Sequence, residues 1–171
     1  YKHTPLQSSF PANMVALVDG VPRTLNLRDA LVAYVGHQID VVTRRSQYRL
    51  QQARDREHIV AGLIRALDLI DEIIALIRGS EDRAAALVGL QADPMSFSDR
   101  QANHILDMQL GRLTRLGRTR LEEELAELQE QIAELEGILA DDLKLRGVIK
   151  EELAEVREEH ATPRKSQITF D

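Results

Sequence analysis

The chain has 171 residues, 43% of them hydrophobic, and a formal net charge of −6. That length and apolar content support one ordinary domain or an extended helical module with a modest core, and exclude a disordered tail. The acidic balance argues against a dedicated nucleic-acid-binding domain, which needs a surplus of Lys and Arg on one face. With no cysteine there is neither a disulfide framework nor a thiolate metal site.

Aromatics are 4% and tryptophan is absent, while Leu, Ala, Glu and Arg dominate; this composition favours an all-α fold built on helix–helix packing. No apolar run approaches a membrane span and no signal-peptide pattern opens the chain, so the expected location is the cytoplasm, without membrane contact. Tyr1 stands inside what reads as structured sequence, with no initiating methionine, so an excised fragment is expected.

At the start, "NMVALVDGVPRTLNL" places two short apolar runs around Asp19-Gly20, a dipeptide that tolerates the positive φ of a tight hairpin turn. The pattern predicts strands over 14–18 and 21–25, with Pro22 restricting the second to an edge. Residues 1–26 then form a base segment. Asn26, with Asp29 three residues on, is a capping pattern, and a first arm helix is predicted over 27–67. Within it "TRRSQYRLQQARDRE" (43–57) has little apolar surface, so this part is expected to be a solvated arm held along a narrow stripe by Tyr48, Leu50 and Ala53.

Asp68 with Asp71 predicts a fresh cap and a helix over 69–78 that ends at Gly79. Ser80 is expected to cap "EDRAAALVGL", with Gly89 and Pro94 punctuating its end. Ser98 with Gln101 is a capping box opening a helix that contains "NHILDMQLGRLTRL", 103–116. These elements, 68–117, make a compact tip. After Gly117 a second arm helix (118–160) carries Leu121, Leu125, Leu128, Ile132, Leu135 and Leu139 at heptad spacing. The register fails over 140–147, where Asp142 is a candidate cap, and Pro163 ends the helix. Residues 161–171 return to the base, with 167–170 a candidate strand.

A one-seam helix needs a partner, and the two arm segments are each roughly 60 Å long at 1.5 Å per residue. An antiparallel hairpin is therefore expected, with Arg44, Arg45, Arg49, Arg54 and Arg56 beside Glu134, Glu136, Asp141 and Asp142. Exposed pairs of this kind set register more than stability, at about a few tenths of a kcal/mol each.

Candidate chemistry is sparse. His3, His37, His58, His104 and His160 lack the spacing of a metal site. Tyr1, Tyr34 and Tyr48 lack a neighbouring general base, and Tyr34 and Tyr48 read as packing residues. No phosphate loop or nucleophile elbow occurs. The functional candidate is a surface: Ile105, Leu106, Met108, Leu110, Leu113 and Leu116, with Gln109 among them, cover more of a helix than the single stripe that lies on a core. The competing reading is a densely packed tip.

"YKHTPLQSSFPANMVALVDGVPRTLNLRDALVAYVGHQIDVVTRRSQYRL", then "ILDMQLGRLTRL", then the acidic heptad helix ending in "TPRKSQI" closely resemble the family of bacterial DNA gyrase A subunits. The resemblance spans essentially the whole chain. It implies the coiled-coil arm and exit gate of a type IIA topoisomerase, which passes one duplex through a transient double-strand break with ATP-dependent supercoiling.

In that family the catalytic tyrosine lies upstream, and the ATP and magnesium sites belong to the partner subunit. No catalytic, cofactor-binding or metal residue is therefore assigned here. The resemblance also implies a homodimer through the tip, with 105–116 as the two-fold contact, and a gyrase B subunit in an A2B2 holoenzyme. Duplex DNA would pass the gate with weak contact, and the setting would be the nucleoid-associated bacterial cytoplasm. A topoisomerase IV subunit or a gyrase paralogue is the alternative within the family, and an antiparallel coiled-coil adaptor with a protein-binding tip is the alternative outside it. The chain departs from the family pattern at Pro5 and Pro11, at Gly36 inside the first arm helix, and in "LTRLGRTRL". Gly36 costs the helix about 0.5–1 kcal/mol relative to alanine.

Overall fold

A computed structural model describes residues 3–6, 8–9, 11–108 and 115–166, with the backbone alone at Arg115 and Leu116. The described chain is mainly helical, with one two-stranded antiparallel sheet: β1 (Met14–Val18), β2 (Val21–Leu25), α1 (Leu27–Asp68), α2 (Ile70–Gly79), α3 (Arg83–Gln91), α4 (Asp99–Leu106), α5 (Arg115–Ala140) and α6 (Asp142–His160). Two compact units divide it, Tyr1–Thr43 with Leu145–Asp171, and Arg44–Lys144.

In the first unit Asp19 (φ 52°) and Gly20 (φ 77°) both adopt the left-handed conformation of a two-residue hairpin turn. The register runs Met14 to Leu25 through Val18 to Val21, and Pro22 stands opposite Leu17. A strand with one neighbour has a free edge, and that edge tolerates the missing N–H. Asn26 Oδ1 accepts the Asp29 N–H at 2.8 Å and starts α1. Between the hairpin and the first turns of α1 lies an open groove of about 620 Å³, lined by Leu17, Val18, Leu25, Ala33, Tyr34 and His37 among others.

In the second unit α1 and α5 run antiparallel. Asp68 meets Arg118 at 2.7 Å, Arg56 meets Glu124 at 2.6 Å and Arg54 meets Glu136 at 2.5 Å, so α1 numbers fall as α5 numbers rise. The heptad seam of α5 is in place: Leu121 and Leu135 are buried, and Leu125, Leu128, Ile132 and Leu139 are half-buried.

The stripe on α1 differs from the expected one. Leu50 and Ala53 are buried, but Tyr48 is 65% exposed and Ser46 is buried in its place. Positions 46, 50 and 53 share one face at steps of four and three, whereas Tyr48 lies two residues, roughly 200° of helix, from both Ser46 and Leu50. Tyr34 is 47% exposed as well.

Three caps also sit elsewhere than expected. Asp68 turns to Arg118 instead of capping α2, whose N-cap residue, Leu69, makes no side-chain bond. Ser80 Oγ donates back to the Leu76 carbonyl at 2.8 Å and so closes α2; Asp82 opens α3 by accepting from Ala85 N–H at 2.7 Å. A carboxylate at a helix N-terminus also meets the positive end of the helix dipole, which a hydroxyl does not. Gly89 lies inside α3, not at its end. A Cβ there would sit 2.8 Å from Leu76 Cδ1, so the glycine lets α2 pack close.

Gly117 likewise falls within α5, which begins two residues earlier at Arg115. The second arm is interrupted at Asp141, whose Oδ1 accepts the Leu143 N–H at 2.8 Å; Asp141 takes the capping role expected of Asp142. Beyond the interruption Leu145 and Ile149 are buried. The candidate strand 167–170 lies outside the described residues.

Candidate functional site

The end of α1, the start of α5 and the three short helices between them enclose one apolar core. Its buried members include Val60, Leu63, Ile73, Leu90, Phe97, Ala102, Ile105 and Leu121. Short helices are marginal alone, so this shared core holds them together.

Phe97 is buried near the end of the α3–α4 connection, with its N–H bonded to the Leu90 carbonyl at 3.0 Å and the Arg65 guanidinium 4.1 Å above its ring. Ser98 then starts α4 with both halves of a capping box. Its hydroxyl accepts from Gln101 N–H at 3.2 Å, and its own N–H donates to Gln101 Oε1 at 3.1 Å.

The same two residues tie α4 to α1. His58 Nε2 lies 2.7 Å from Ser98 Oγ, and Gln101 Nε2 donates to the His58 carbonyl at 2.8 Å. This approach needs Gly62, because a Cβ at that position would sit 2.5 Å from Gln101 Cγ. The Ser–His contact is a join between helices, with the serine oxygen already engaged as a helix cap. Sequence spacing gave no hint of it, since the partners are forty residues apart.

Ion pairs pin the outside of the tip. Arg100 meets Asp55 at 2.6 Å and Arg83 meets Asp107 at 2.7 Å. In each case the hydrogen bond from the guanidinium holds the carboxyl below its ordinary range. Arg118 bridges Glu122 and Asp68 at 2.8 and 2.7 Å, and their hydrogen bonds raise its own proton affinity.

The stretch 103–116 is not one helix. α4 ends at Leu106, and Asp107 and Met108 stand outside it before α5 opens at Arg115. Asp107 takes φ −92° and ψ 3°, its N–H bonds to the Asn103 carbonyl while that of Met108 bonds to the Ile105 carbonyl, and its carboxylate is held by Arg83. Among the candidate gate residues, Ile105 is 4% exposed in the tip core, and Leu106 and Met108 are half-buried against that core. Gln109, Leu110 and Leu113 lie outside the described residues, as does the side chain of Leu116.

Apolar surface that the tip does expose comes from elsewhere: Ile74 and Ile77 on α2, at 39% and 40%, and Val88 on α3, at 66%. The signal was present in "IDEIIALIRG", where Ile70, Ile73, Ile74, Leu76 and Ile77 form one wide apolar face opposite Asp71, Glu72 and Arg78, wider than the strip that packs on the tip core, so Ile74 and Ile77 are left at its outer edge.

Among the described residues no group of three His, Cys, Asp or Glu side chains is placed to hold a metal, and no helix is long and apolar enough to cross a membrane.

The second unit is a coiled-coil arm, two antiparallel helices carrying a tip with a core of its own. The chain belongs to the DNA gyrase/topoisomerase IV A-subunit family, whose model matches residues 1–154. The DNA gyrase A subunit of Mycobacterium tuberculosis (strain H37Rv) is 50% identical over 168 residues, 98% of this chain and 20% of that protein. The Mycolicibacterium smegmatis gyrase A subunit is 48% identical over the same share of each. That of Staphylococcus aureus (strain MRSA252) is 50% identical over 98% of this chain and 19% of its own length. The chain thus spans about a fifth of the relatives it matches.

Proposed function

We propose that the chain is the dimerisation and exit-gate segment of a DNA gyrase A subunit, within a type IIA topoisomerase that passes one duplex through a transient double-strand break. The observation that carries this reading is the match to gyrase A subunits along 98% of the chain, joined to a tip that has its own core and still exposes Ile74, Ile77 and Val88. A two-fold contact uses the same patch on both chains, so one tip surface serves both halves of the gate. An interface near the standard size, about 800 Å² per partner, holds a cut dimer together and still opens. The strands of the cut duplex, ATP and magnesium are handled by the rest of the gyrase A subunit and by the gyrase B subunit of an A2B2 assembly, so no residue of this segment is assigned to them. The chain works in the cytoplasm, on the nucleoid.

The test is sedimentation of the chain at tens of micromolar. A dimer is expected, with Leu110→Arg and Leu113→Arg each shifting it to monomer while far-ultraviolet circular dichroism keeps its helical signal. A monomeric parent chain overturns the gate and favours an adaptor whose tip binds a foreign protein. Variants that lose their helicity place both leucines in the tip's own core, and the gate contact elsewhere.

A further inference from the structure

Residues 43–56 of α1 carry Arg44, Arg45, Arg49, Arg54 and Arg56 against a single acid, Asp55. That acid is engaged by Arg100. Arg54 and Arg56 have carboxylate partners across the arm, Glu136 and Glu124. Arg49 is different: among the described residues no carboxylate pairs with it. The polar α5 residue that lines the same groove is Gln131, in a helix otherwise rich in glutamate.

The groove holds about 310 Å³. Its lining is Arg49, Gln52, Arg56 and Gln131 over an apolar floor of Ala53 and Leu128. Every charged group in that lining is a cation, and both amides supply N–H donors. Next to it Tyr48 is exposed and accepts from Gln52 Nε2 at 2.6 Å, which leaves the phenolic hydrogen free to donate outward. Arg49 and Arg56 are one heptad apart, roughly 10 Å along the axis at 1.5 Å per residue. Long, jointed arginine side chains at that separation reach different phosphates of one duplex.

We infer that this groove on the arm, centred on Arg49 and Arg56, is a contact site for the phosphodiester backbone of duplex DNA. Arg49 takes one phosphate directly, Arg56 offers another the terminal N–H groups that its Nε bond to Glu124 leaves over, and the tyrosine and glutamine donors fix the strand beside them. The contact reads no base and is weak by construction, as suits a duplex that has to move on. The gyrase reading supplies only the identity of the polyanion; the arrangement of donors stands without it.

The experiment is a fluorescence-anisotropy titration of the 171-residue chain with a labelled mixed-sequence duplex, across salt. Two phosphate contacts predict a slope of log K against log salt of about −1.8, so affinity falls about twelvefold between about 50 and 200 mM salt. Arg49→Gln is expected to halve the slope, cutting that loss to about three- to fourfold. Gln131→Glu, which offers Arg49 the missing carboxylate, is expected to do the same with unchanged helicity. Arg78→Gln removes the same charge from the tip and is expected to leave the slope alone.

The assignment is overturned if the chain binds no DNA at about 50 mM salt, or if Arg78→Gln lowers the slope as much as Arg49→Gln. It is also overturned if poly-glutamate displaces the duplex at equal charge concentration, which points to an acidic protein segment. Self-association is read separately by sedimentation, so a monomer that keeps the Arg49-dependent slope refutes the gate alone, and a dimer without it refutes the groove alone.

Discussion

Gly62→Ala separates two opposed effects by sign. On propensity alone, alanine in mid-helix is favoured over glycine by about 0.5–1 kcal/mol, and Gly62 lies well inside α1. Against this, the new Cβ would sit 2.5 Å from Gln101 Cγ, 2.7 Å from Cδ and 2.8 Å from Nε2. Gln101 is not free to swing away: its Nε2 donates to the His58 carbonyl and its Oε1 accepts from Ser98 N–H. Moving it forfeits both bonds, each worth about 1 kcal/mol net. The expected result is a loss of about 1 kcal/mol where propensity alone predicts a gain of similar size.

Urea unfolding followed at 222 nm measures it, and a double-mutant cycle isolates the cause. In a Gln101→Ala background the obstruction is gone, so Gly62→Ala should there stabilise by about 0.5–1 kcal/mol. The coupling between the two sites should thus be about 1.5–2 kcal/mol. The reasoning is refuted if Gly62→Ala stabilises the parent chain, or if its effect is the same in both backgrounds.

Gly36 is the contrasting case. A Cβ there meets nothing within 4 Å, so Gly36→Ala should stabilise α1 by about 0.5–1 kcal/mol, read as a higher urea midpoint at unchanged slope. Acid should loosen the outside of the tip. The Arg83 hydrogen bond depresses the Asp107 carboxyl, so the stabilisation is complete above the ordinary carboxylate range and is lost as pH falls through the lower folded value. Thermal midpoints taken below about pH 4 should fall more steeply for the parent chain than for Arg83→Gln, and parallel curves would contradict the assignment.

What could be read from the sequence was what the chain decides locally. Asp19-Gly20 needs only its own φ preferences to form a two-residue turn, and Ser98 with Gln101 needs only three residues' reach to close a capping box. The heptad seam of α5 was legible because one periodicity persists across it. Errors arose where two local solutions compete and packing chooses. Ser80 and Asp82 can each cap α3, and the free hydroxyl went to the end of α2 instead. Asp68 is a good cap by type, but Arg118 claims it from fifty residues away. Tyr48 suits an inward position by residue type, but its phase on the helix places it outward.

In 103–116 the error is of a different kind, with a consequence for where a second copy of the chain would sit. Counting apolar residues around a circumference is meaningful only if the residues share one helix. α4 stops at Leu106, so the apolar residues of 103–116 belong to the end of one element and the start of another, and Ile105, Leu106 and Met108 are accounted for by the tip's own core. The same count is valid on α2, which is one unbroken helix. There Ile73 is buried and Leu76 packs on Gly89, yet Ile74 and Ile77 remain well exposed. Those two isoleucines answer no need of the tip's interior. An interface that includes them would take apolar surface from water at roughly 25 cal/mol per Å², whereas one confined to Ile105 and its neighbours would first have to open the core that holds the tip together. The proposed two-fold contact is therefore better served by α2, alongside the segment around Leu110 and Leu113, than by the last turn of α4.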